Sequence, residues 1–260
     1  MRRTSSLPLF GTQIEADPGT AAVDAAGYAA RVAAQDWMRV GAELDERGNA
    51  VLPRLLAPQE CAALADAYDD DVRYRSRVTM ARHGFGRGEY RYYRYPLPAP
   101  VQALRSALYP PLAEVAARWN RALGDASSYP PTLRDYLRRC HEAGQRRPTP
   151  LLLRYGEGDY NCLHQDVYGE HLFPLQVAIL LSEPGRDFDG GEFVLTEQRP
   201  RMQSRVEVVP LRQGDAVAFA VRQRPQSGAR GHYRVALKHG VSRVRAGRRH
   251  TLGLIFHDAL

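Results

Sequence analysis

The 260-residue sequence has few cysteines and no long hydrophobic run. Its three cysteines are odd in number and far apart, which favours reduced thiols over a disulfide framework or a CxxC zinc site. Cys162 is expected to be a small buried strand residue. No apolar stretch approaches the roughly 18 residues of a transmembrane helix, and the apolar patch near the N-terminus is too short for a signal peptide. We therefore expect a cytoplasmic protein with no membrane association.

Lysine is nearly absent, because Lys238 is the single lysine among 36 basic residues. The formal net charge is nevertheless +7. Such a charge suits an acidic partner, of which nucleic acid is the commonest. A coding bias toward arginine explains the same composition, so the charge favours a nucleic-acid partner only modestly.

The two halves of the chain differ in texture. Residues 20–148 are rich in alanine with helical spacing, whereas residues 149–260 contain short apolar runs separated by Gly, Pro and Asp. The second pattern is typical of an all-β sandwich or barrel. We predict an α+β protein with a flexible N-terminus over residues 1–19, a helical region over 20–148 and a β domain over 149–260.

Residues 73–95 form an Arg/Tyr segment inside the helical region, with seven arginines and five tyrosines. Guanidinium groups contact phosphates and tyrosine rings stack on bases, as in single-stranded or flipped-base binding. Arg87, Arg91 and Arg94 are therefore candidate nucleic-acid contacts. A solvated loop, or a strand covering one mouth of the barrel, explains the composition equally well.

The sequence LHQD places His164 and Asp166 two residues apart. Strand side chains repeat every two residues, so both can face one ion. A third ligand must come from a distant strand, and His239 is the best candidate because Val235 and Leu237 precede it on the same face. Two imidazoles and one carboxylate with open positions form the facial triad of non-haem Fe(II) oxygenases.

Arg249 follows His239 by ten residues, on what we expect to be the adjacent strand. It shares a strand face with Thr251, a candidate for an additional hydroxyl bond, whereas Arg248 turns outward. A guanidinium inside the barrel binds the carboxylate of a 2-oxo acid in a bidentate fork. Without such a partner its burial is costly.

The pattern formed by four residues resembles that of the Fe(II)/2-oxoglutarate-dependent dioxygenases: His164, Asp166, His239 and Arg249. The resemblance covers roughly residues 149–258 and implies a double-stranded β-helix, or jelly roll, with helices packed on it. It implies that His164, Asp166 and His239 bind Fe(II). It also implies that Arg249 holds the 5-carboxylate of 2-oxoglutarate and that O2 is the second co-substrate. The ten-residue step from His239 to Arg249 is similar to the prolyl-hydroxylase branch.

A second likeness concerns RYGEGDYNCLHQD, in which Tyr155 and Asp159 precede His164. This stretch resembles the AlkB-like oxygenases, which remove alkyl groups from nucleic-acid bases. With HGFGRGEY and RPTPLLLRYG included, the chain is similar to a bacterial oxygenase family thought to act oxidatively on damaged nucleic acid. The likeness implies alkylated DNA as substrate and Tyr155 as a 2-oxoglutarate contact. A second arginine of the AlkB-like pattern falls at Ile255 here, so the 1-carboxylate must be held differently.

Three functions therefore stay open at the level of the sequence. The first is oxidative dealkylation of damaged bases, favoured by the family likeness and the Arg/Tyr segment. The second is hydroxylation of a protein or peptide, such as at proline, favoured by the ten-residue step. The third is a non-enzymatic nucleic-acid-binding jelly roll.

Overall fold

The computed structural model describes residues 25–167, 169–229 and 231–260, so the expected flexible N-terminus lies outside the described residues. The described part contains five α-helices: α1 (Ala25–Ala33), α2 (Trp37–Arg47), α3 (Pro58–Asp66), α4 (Ala99–Ala122) and α5 (Leu133–Glu142). None of these helices combines the length and hydrophobicity that a membrane span needs.

The described strands are short, as the spacing of turn residues predicts. Four precede residue 149: β1 (Asn49–Leu52), β2 (Tyr74–Thr79), β3 (Gly86–Arg87) and β4 (Glu89–Tyr93). Six more follow up to residue 209: β5 (Leu151–Tyr155), β6 (Tyr160–His164), β7 (Leu175–Leu180), β8 (Phe188–Gly190), β9 (Phe193–Gln198) and β10 (Arg205–Val209). The last five are β11 (Ala216–Ala220), β12 (Gln223–Gly228), β13 (Gly231–Val241), β14 (Val244–Gly247) and β15 (Arg249–Leu254).

Two antiparallel sheets make up the β part of the molecule. The first has the strand order β1-β11-β7-β15-β5-β4-β2, and the second has the order β10-β9-β13-β6-β3, with β12 also paired to β13. A separate pair joins β8 and β14. Two mixed-order antiparallel sheets with helices packed on them are compatible with the predicted jelly-roll core.

Helix α4 connects the helices to the sheets. Its apolar positions recur at three- and four-residue spacing, as in an amphipathic helix, and they are buried: Val101, Leu104, Leu108, Leu112 and Val115. Arg105 interrupts this face, yet it is fully buried and pairs at 2.8 Å with the equally buried Asp258. Its guanidinium also donates to the carbonyl oxygens of Ile255 and Phe256. The pair thereby fastens α4 to the end of the chain.

The region predicted to be helical also supplies strands, which is a difference from the sequence prediction. Strand β1 pairs with β11, β4 pairs with β5, and β3 pairs with β6. A sheet edge presents unpaired N–H and C=O groups that an adjoining strand satisfies. Residues 149–260 therefore share both sheets with the part of the chain before them.

Candidate metal centre and its cavity

His164, Asp166 and His239 come together in the structure. One side-chain donor atom from each residue lies within 4.8 Å of the others. The Asp166 carboxylate stands between the two rings, with Oδ1 at 3.5 Å from His164 Nε2 and Oδ2 at 3.4 Å from His239 Nε2. This is the arrangement of a three-ligand metal site with open positions.

The backbone around the two histidines explains why their rings meet. His164 ends β6 and is paired directly with His239 on β13. The pairing shifts register just after His239, at Gly240, where a Cβ atom would lie 2.7 Å from the Asn161 carbonyl oxygen. The close approach of β13 and β6 beside the site therefore requires glycine.

The electrostatics of the three side chains fit a bound cation. His164 Nδ1 lies 2.8 Å from the Cys162 carbonyl oxygen. A carbonyl only accepts, so Nδ1 carries the proton and Nε2 presents a lone pair toward Asp166. Burial and the neighbouring His239 lower the pKa of His164, against the opposing effect of Asp166, so the neutral ring is favoured. Two acceptors facing each other are reconciled by a cation between them.

A cavity of about 340 Å³ opens onto these residues from the space between the two sheets. At its inner end lie Arg249 and Thr251 of β15, together with Tyr155 of β5. Apolar and aromatic side chains form much of its wall: Phe85, Tyr90, Tyr92, Leu151, Leu153, Phe193, Phe219 and Ile255.

Arg249 is a buried cation without a carboxylate partner among the described residues. Its side chain is 1% exposed, and its Nη1 donates a 2.5 Å hydrogen bond to Thr251 Oγ1. Its Nε is buried and has no hydrogen-bond partner. Burial lowers the pKa of Arg249 to about 10. A guanidinium held in this way is prepared for an anionic ligand.

Tyr155 lies directly opposite Arg249 in the pairing of β5 with β15. The Arg249 guanidinium carbon is 5.7 Å from the centre of the Tyr155 ring. The tyrosine is completely buried, and burial raises the pKa of its hydroxyl above the ordinary value. Its hydroxyl therefore stays protonated beside the guanidinium.

The strand that carries Arg249 differs in position from the prediction. We expected it to be adjacent to the His239 strand, but β13 belongs to the second sheet and β15 to the first. The two side chains reach the same cavity from opposite sheets. Strand β14, which pairs with β8 outside both sheets, lies between β13 and β15 along the chain and makes the crossing from one sheet to the other.

The Arg/Tyr segment contributes tyrosines to the cavity rather than arginines. Tyr90 and Tyr92 line it, whereas Arg91 points to the other face of β4, as strand alternation requires. Arg91 is 4% exposed and pairs at 2.5 Å with Asp71, and its guanidinium carbon lies 4.8 Å from the centre of the Tyr68 ring. This placement argues against the predicted contact of Arg91 with phosphate.

The other two predicted nucleic-acid contacts are exposed but stand outside the cavity wall. The Arg87 side chain is exposed, with its Nε 3.7 Å from Asp159 Oδ1. Arg94 is exposed beyond the end of β4. Neither of them lines the cavity.

Some residues of the site were not anticipated from the sequence. Gln165 lies between His164 and Asp166 in the chain. Its side-chain amide donates to the carbonyl oxygens of Arg222 and Leu237. Gly240, Tyr90 and Tyr92 were also not predicted as residues of the site. The alternation in YRYYR indicates a strand with tyrosines on one face, but it does not show which face meets the cavity. Cys162, expected to be buried, is exposed. It lies two residues before His164, on the same face of β6, and lines the open cavity.

The chain is similar to proteins of known sequence or known structure. An uncharacterized protein of Mycobacterium tuberculosis strain H37Rv is 49% identical over 164 residues, which are 63% of this chain and 70% of that protein. A prolyl hydroxylase from Trichoplax adhaerens, solved with a hypoxia inducible factor peptide fragment, is 14% identical with a TM-score of 0.51, covering 84% of this chain and 86% of that one.

The non-heme alpha ketoglutarate dependent epimerase SnoN from nogalamycin biosynthesis is 15% identical with a TM-score of 0.51, covering 84% of this chain and 80% of that chain. At such identities the two structures show a shared fold alone. The predicted cofactors Fe(II), 2-oxoglutarate and O2 agree with this fold and with the His-Asp-His cluster.

The family description that matches reads "Oxygenase, catalysing oxidative methylation of damaged DNA" and covers residues 88–259. This range includes every residue that faces the candidate metal and the buried Arg249. It confirms the predicted likeness to an oxygenase family that acts on damaged nucleic acid. Because the match extends over more than half of the chain, the protein belongs to the Oxygenase-NA family and is an oxygenase.

Proposed function

We propose that this protein is an Fe(II)- and 2-oxoglutarate-dependent dioxygenase that removes alkyl groups oxidatively from damaged nucleic-acid bases. The observation that carries the proposal is the single cavity that contains both the His164-Asp166-His239 cluster and the unneutralised Arg249. A metal site alone has many uses. A metal site that shares an enclosed space with a buried guanidinium suits a co-substrate that chelates at one end and carries a carboxylate at the other.

The chain's own residues have separate tasks in this function. His164, Asp166 and His239 hold the metal from one side, which leaves the cavity side for co-substrate and oxygen. Arg249 and Thr251 bind the distal carboxylate of 2-oxoglutarate, and Tyr155 fixes the guanidinium from the neighbouring strand. Iron supplies the activation of O2 that ordinary side chains lack.

The reaction balances as an oxygenation. One oxygen atom of O2 enters succinate as 2-oxoglutarate loses CO2, and the other enters a C–H bond of an N-alkyl group. The hydroxylated carbon then leaves as an aldehyde, and the base nitrogen regains a proton. The family description speaks of methylation, but attaching a methyl group requires a methyl donor. Removal of a methyl group requires only O2 and 2-oxoglutarate, so we favour removal.

The aromatic wall supports a base as the group that enters. Tyr90 and Tyr92 lie with their ring centres 5.4 Å apart in an edge-to-face arrangement, and both line the cavity. Phe85, which is 47% exposed, stands at the cavity as well. Flat aromatic surfaces stack on any base, and enzymes that modify a base take it out of the helix into such a pocket.

The test is the release of succinate and formaldehyde from 2-oxoglutarate and single-stranded DNA that carries N-methylated bases, with Fe(II) and ascorbate. We expect the methylated strand to stimulate succinate release and to yield formaldehyde in equal amount. His239→Ala should abolish both products. His232→Ala is the matched control, because His232 lies exposed on the same strand and should leave both unchanged.

Two results would favour the rival functions. Succinate release that ignores DNA but rises with a proline-containing peptide would favour a peptide hydroxylase, which the ten-residue step from His239 to Arg249 suggests. DNA binding without any turnover, at full iron occupancy, would favour a non-enzymatic binding module.

A further inference from the structure

A second concave surface adjoins the candidate metal centre and is lined by arginines. We call it the arginine groove and define it by Arg199, Arg201, Arg222 and Arg234. It encloses about 530 Å³ and is completed by Gln165, Gln198, Pro200, Gln223 and Ala236. The sequence did not reveal it, because its arginines come from the β9–β10 turn, the residue before β12 and the first half of β13.

The arginine groove has an excess of positive charge. Among the described residues, no acidic side chain lines it. The nearby Glu197 carboxylate forms an ion pair with Arg199 at 2.7 Å. The same carboxylate also pairs with Arg224 at 2.6 Å and with Arg205 at 3.6 Å. One carboxylate shared by three guanidinium groups leaves the surface cationic. A concave cationic surface concentrates anions.

Arg201, Arg222 and Arg234 are the cations of the groove that remain available. All three are exposed. Arg234 acts on Asp125, whose pKa it lowers, although the main cause of that lowering is Ser127. Among the described residues, no ion pair within 4 Å occupies any of the three guanidinium groups. Their charge is directed to solvent and to whatever binds the groove.

The backbone that carries these arginines is held in place. At the β9–β10 turn, Gln198 Nε2 donates to the carbonyl oxygens of Arg199 and Met202, and Ser204 donates to Gln198 Oε1. Arg201 adopts a left-handed φ of 62°, which is unfavourable for a residue with a side chain. The Gln198 side chain thus bridges the turn and holds the backbone that carries Arg199 and Arg201.

Gln165 joins the arginine groove to the candidate metal centre. Its side chain lines both the groove and the cavity. It lies between His164 and Asp166 in the chain, and its amide donates at 3.1 Å to the Arg222 carbonyl oxygen and at 2.7 Å to the Leu237 carbonyl oxygen. A ligand in the groove therefore lies next to a residue that also lines the cavity.

From these observations we infer that the arginine groove binds the phosphodiester backbone of a single-stranded nucleic acid while one base enters the cavity. The inference rests on the proposed function, which places the damaged base in the cavity, and it adds a binding site for the backbone of the same strand. Guanidinium forks match the geometry of phosphate oxygens, and several cations in one groove suit a strand that carries one charge per nucleotide. Exposed Arg87 and Arg94 lie in a different segment and line neither the groove nor the cavity.

The inference is tested by the affinity of the full chain for an unmodified 12-nucleotide DNA strand across a series of salt concentrations. The groove variant is Arg201→Glu, Arg222→Glu and Arg234→Glu together. The control variant is Arg134→Glu, Arg138→Glu and Arg146→Glu, which changes the net charge equally. These three arginines line another cavity, which shares no residue with the cavity at the metal centre or with the groove.

For the groove variant we expect the affinity for DNA at low salt to fall by at least about tenfold. The slope of log affinity against log salt concentration should flatten by about two, because three phosphate contacts on a single strand are lost. The control variant should keep the affinity and slope of the wild type to within about twofold, because its charges are remote from the strand. A neutral variant, Arg201→Gln, Arg222→Gln and Arg234→Gln, should show the same direction of change. Thermal melting of each variant checks that the fold is intact.

Three outcomes would overturn the inference: no binding by the wild type, an equal loss in the groove and control variants, or polyglutamate competing as well as the DNA strand. An RNA strand of the same sequence identifies the sugar, and tighter binding of either strand supports the phosphodiester site. Because the strand is unmodified, failure here leaves formaldehyde release from methylated DNA unaffected as a measure of the proposed function. Conversely, a groove that binds DNA without any oxidation would refute the proposed function alone.

Discussion

At the scale of single residues, Arg249 has the most unusual environment in the site. A cation that is 1% exposed, with one hydroxyl as its hydrogen-bond partner, lowers the stability of the empty protein. The proposed ligand removes that cost by supplying a carboxylate. Stability of the fold and readiness for co-substrate are thus opposed at this position.

We predict that Arg249→Met raises the melting temperature of the protein without 2-oxoglutarate, because an apolar chain of similar length replaces an unneutralised buried charge. The same change should remove the rise in melting temperature that 2-oxoglutarate gives the wild type. Thermal denaturation with and without 2-oxoglutarate measures both effects. Exposed Arg248 provides the control, since Arg248→Met should alter neither; a persistent 2-oxoglutarate effect in Arg249→Met would assign the co-substrate to another site.

Histidine protonation gives a second prediction at the same scale. Burial, with Arg105 adding to it, lowers the pKa of His257 from 6.5 to about 4. Between these two values the unfolded chain binds the proton more readily, so the free energy of unfolding should decrease as the pH falls from about 6.5 to about 4.

In the wild type, His257 Nδ1 accepts a hydrogen bond from the Phe173 N–H at 3.3 Å. His257→Asn retains an acceptor for this N–H and should remove part of the pH dependence. Urea denaturation at pH 7, 6, 5 and 4.5 gives the comparison. Identical pH profiles for the variant and the wild type would show that His257 is not the group responsible.

At the scale of elements, helix α4 and the residues after β15 depend on one ion pair. Arg105 and Asp258 are both fully buried. The Asp258 carboxylate also accepts a hydrogen bond from the Tyr95 hydroxyl at 2.9 Å and lies 2.8 Å from His141 Nε2. Removing one member of a buried pair leaves the other charge without compensation.

Arg105→Met should therefore destabilise the protein by about 3–5 kcal/mol, as is usual when one partner of a buried pair is removed. The matched change on the same helix is Arg118→Met, which breaks an exposed pair with Asp45 and should cost no more than about 1 kcal/mol. Urea denaturation measures both free energies of unfolding. Similar values for the two variants would show that burial of the Arg105 pair does not determine its contribution.

At the scale of the whole molecule, the β part is completed by strands from the first half of the chain. Strands β1 and β4 each pair with a strand that follows residue 149, and α2 contacts β1 and β11. The division into a helical region over residues 20–148 and a jelly-roll domain over residues 149–260 remains a prediction. Physically, the two regions share their hydrogen bonds and their core.

We predict that residues 149–260, expressed alone, do not fold cooperatively, because β5 and β11 each lose one of two partner strands and expose a sheet edge. Circular dichroism should show no sigmoidal thermal transition, in contrast to the full chain. A fragment with a transition near that of the full chain would establish residues 149–260 as an autonomous domain.

The parts of the molecule that could be predicted are those that depend on local spacing. The two-residue period of a strand places His164 with Asp166 and turns Arg249, rather than Arg248, toward the interior. The same period cannot choose which face of YRYYR meets the cavity. That choice depends on Asp71 and Tyr68, which hold Arg91 on the opposite face and are distant in sequence from the metal-facing residues. The arginine groove was unpredictable for a related reason, since strand register brings its members together.

Gln165 has a consequence for the size of the substrate. Its neighbours in the chain, His164 and Asp166, belong to the candidate metal centre, and its amide donates to the backbone carbonyl oxygens of Arg222 and Leu237. Under the proposed function and the inferred phosphate site, the distance from the bound phosphate to the oxidised carbon is therefore set by one piece of backbone. A free nucleoside enters the cavity without occupying the groove, whereas an oligonucleotide engages both. The enzyme would then select first for polymer length and only afterwards for the damaged base.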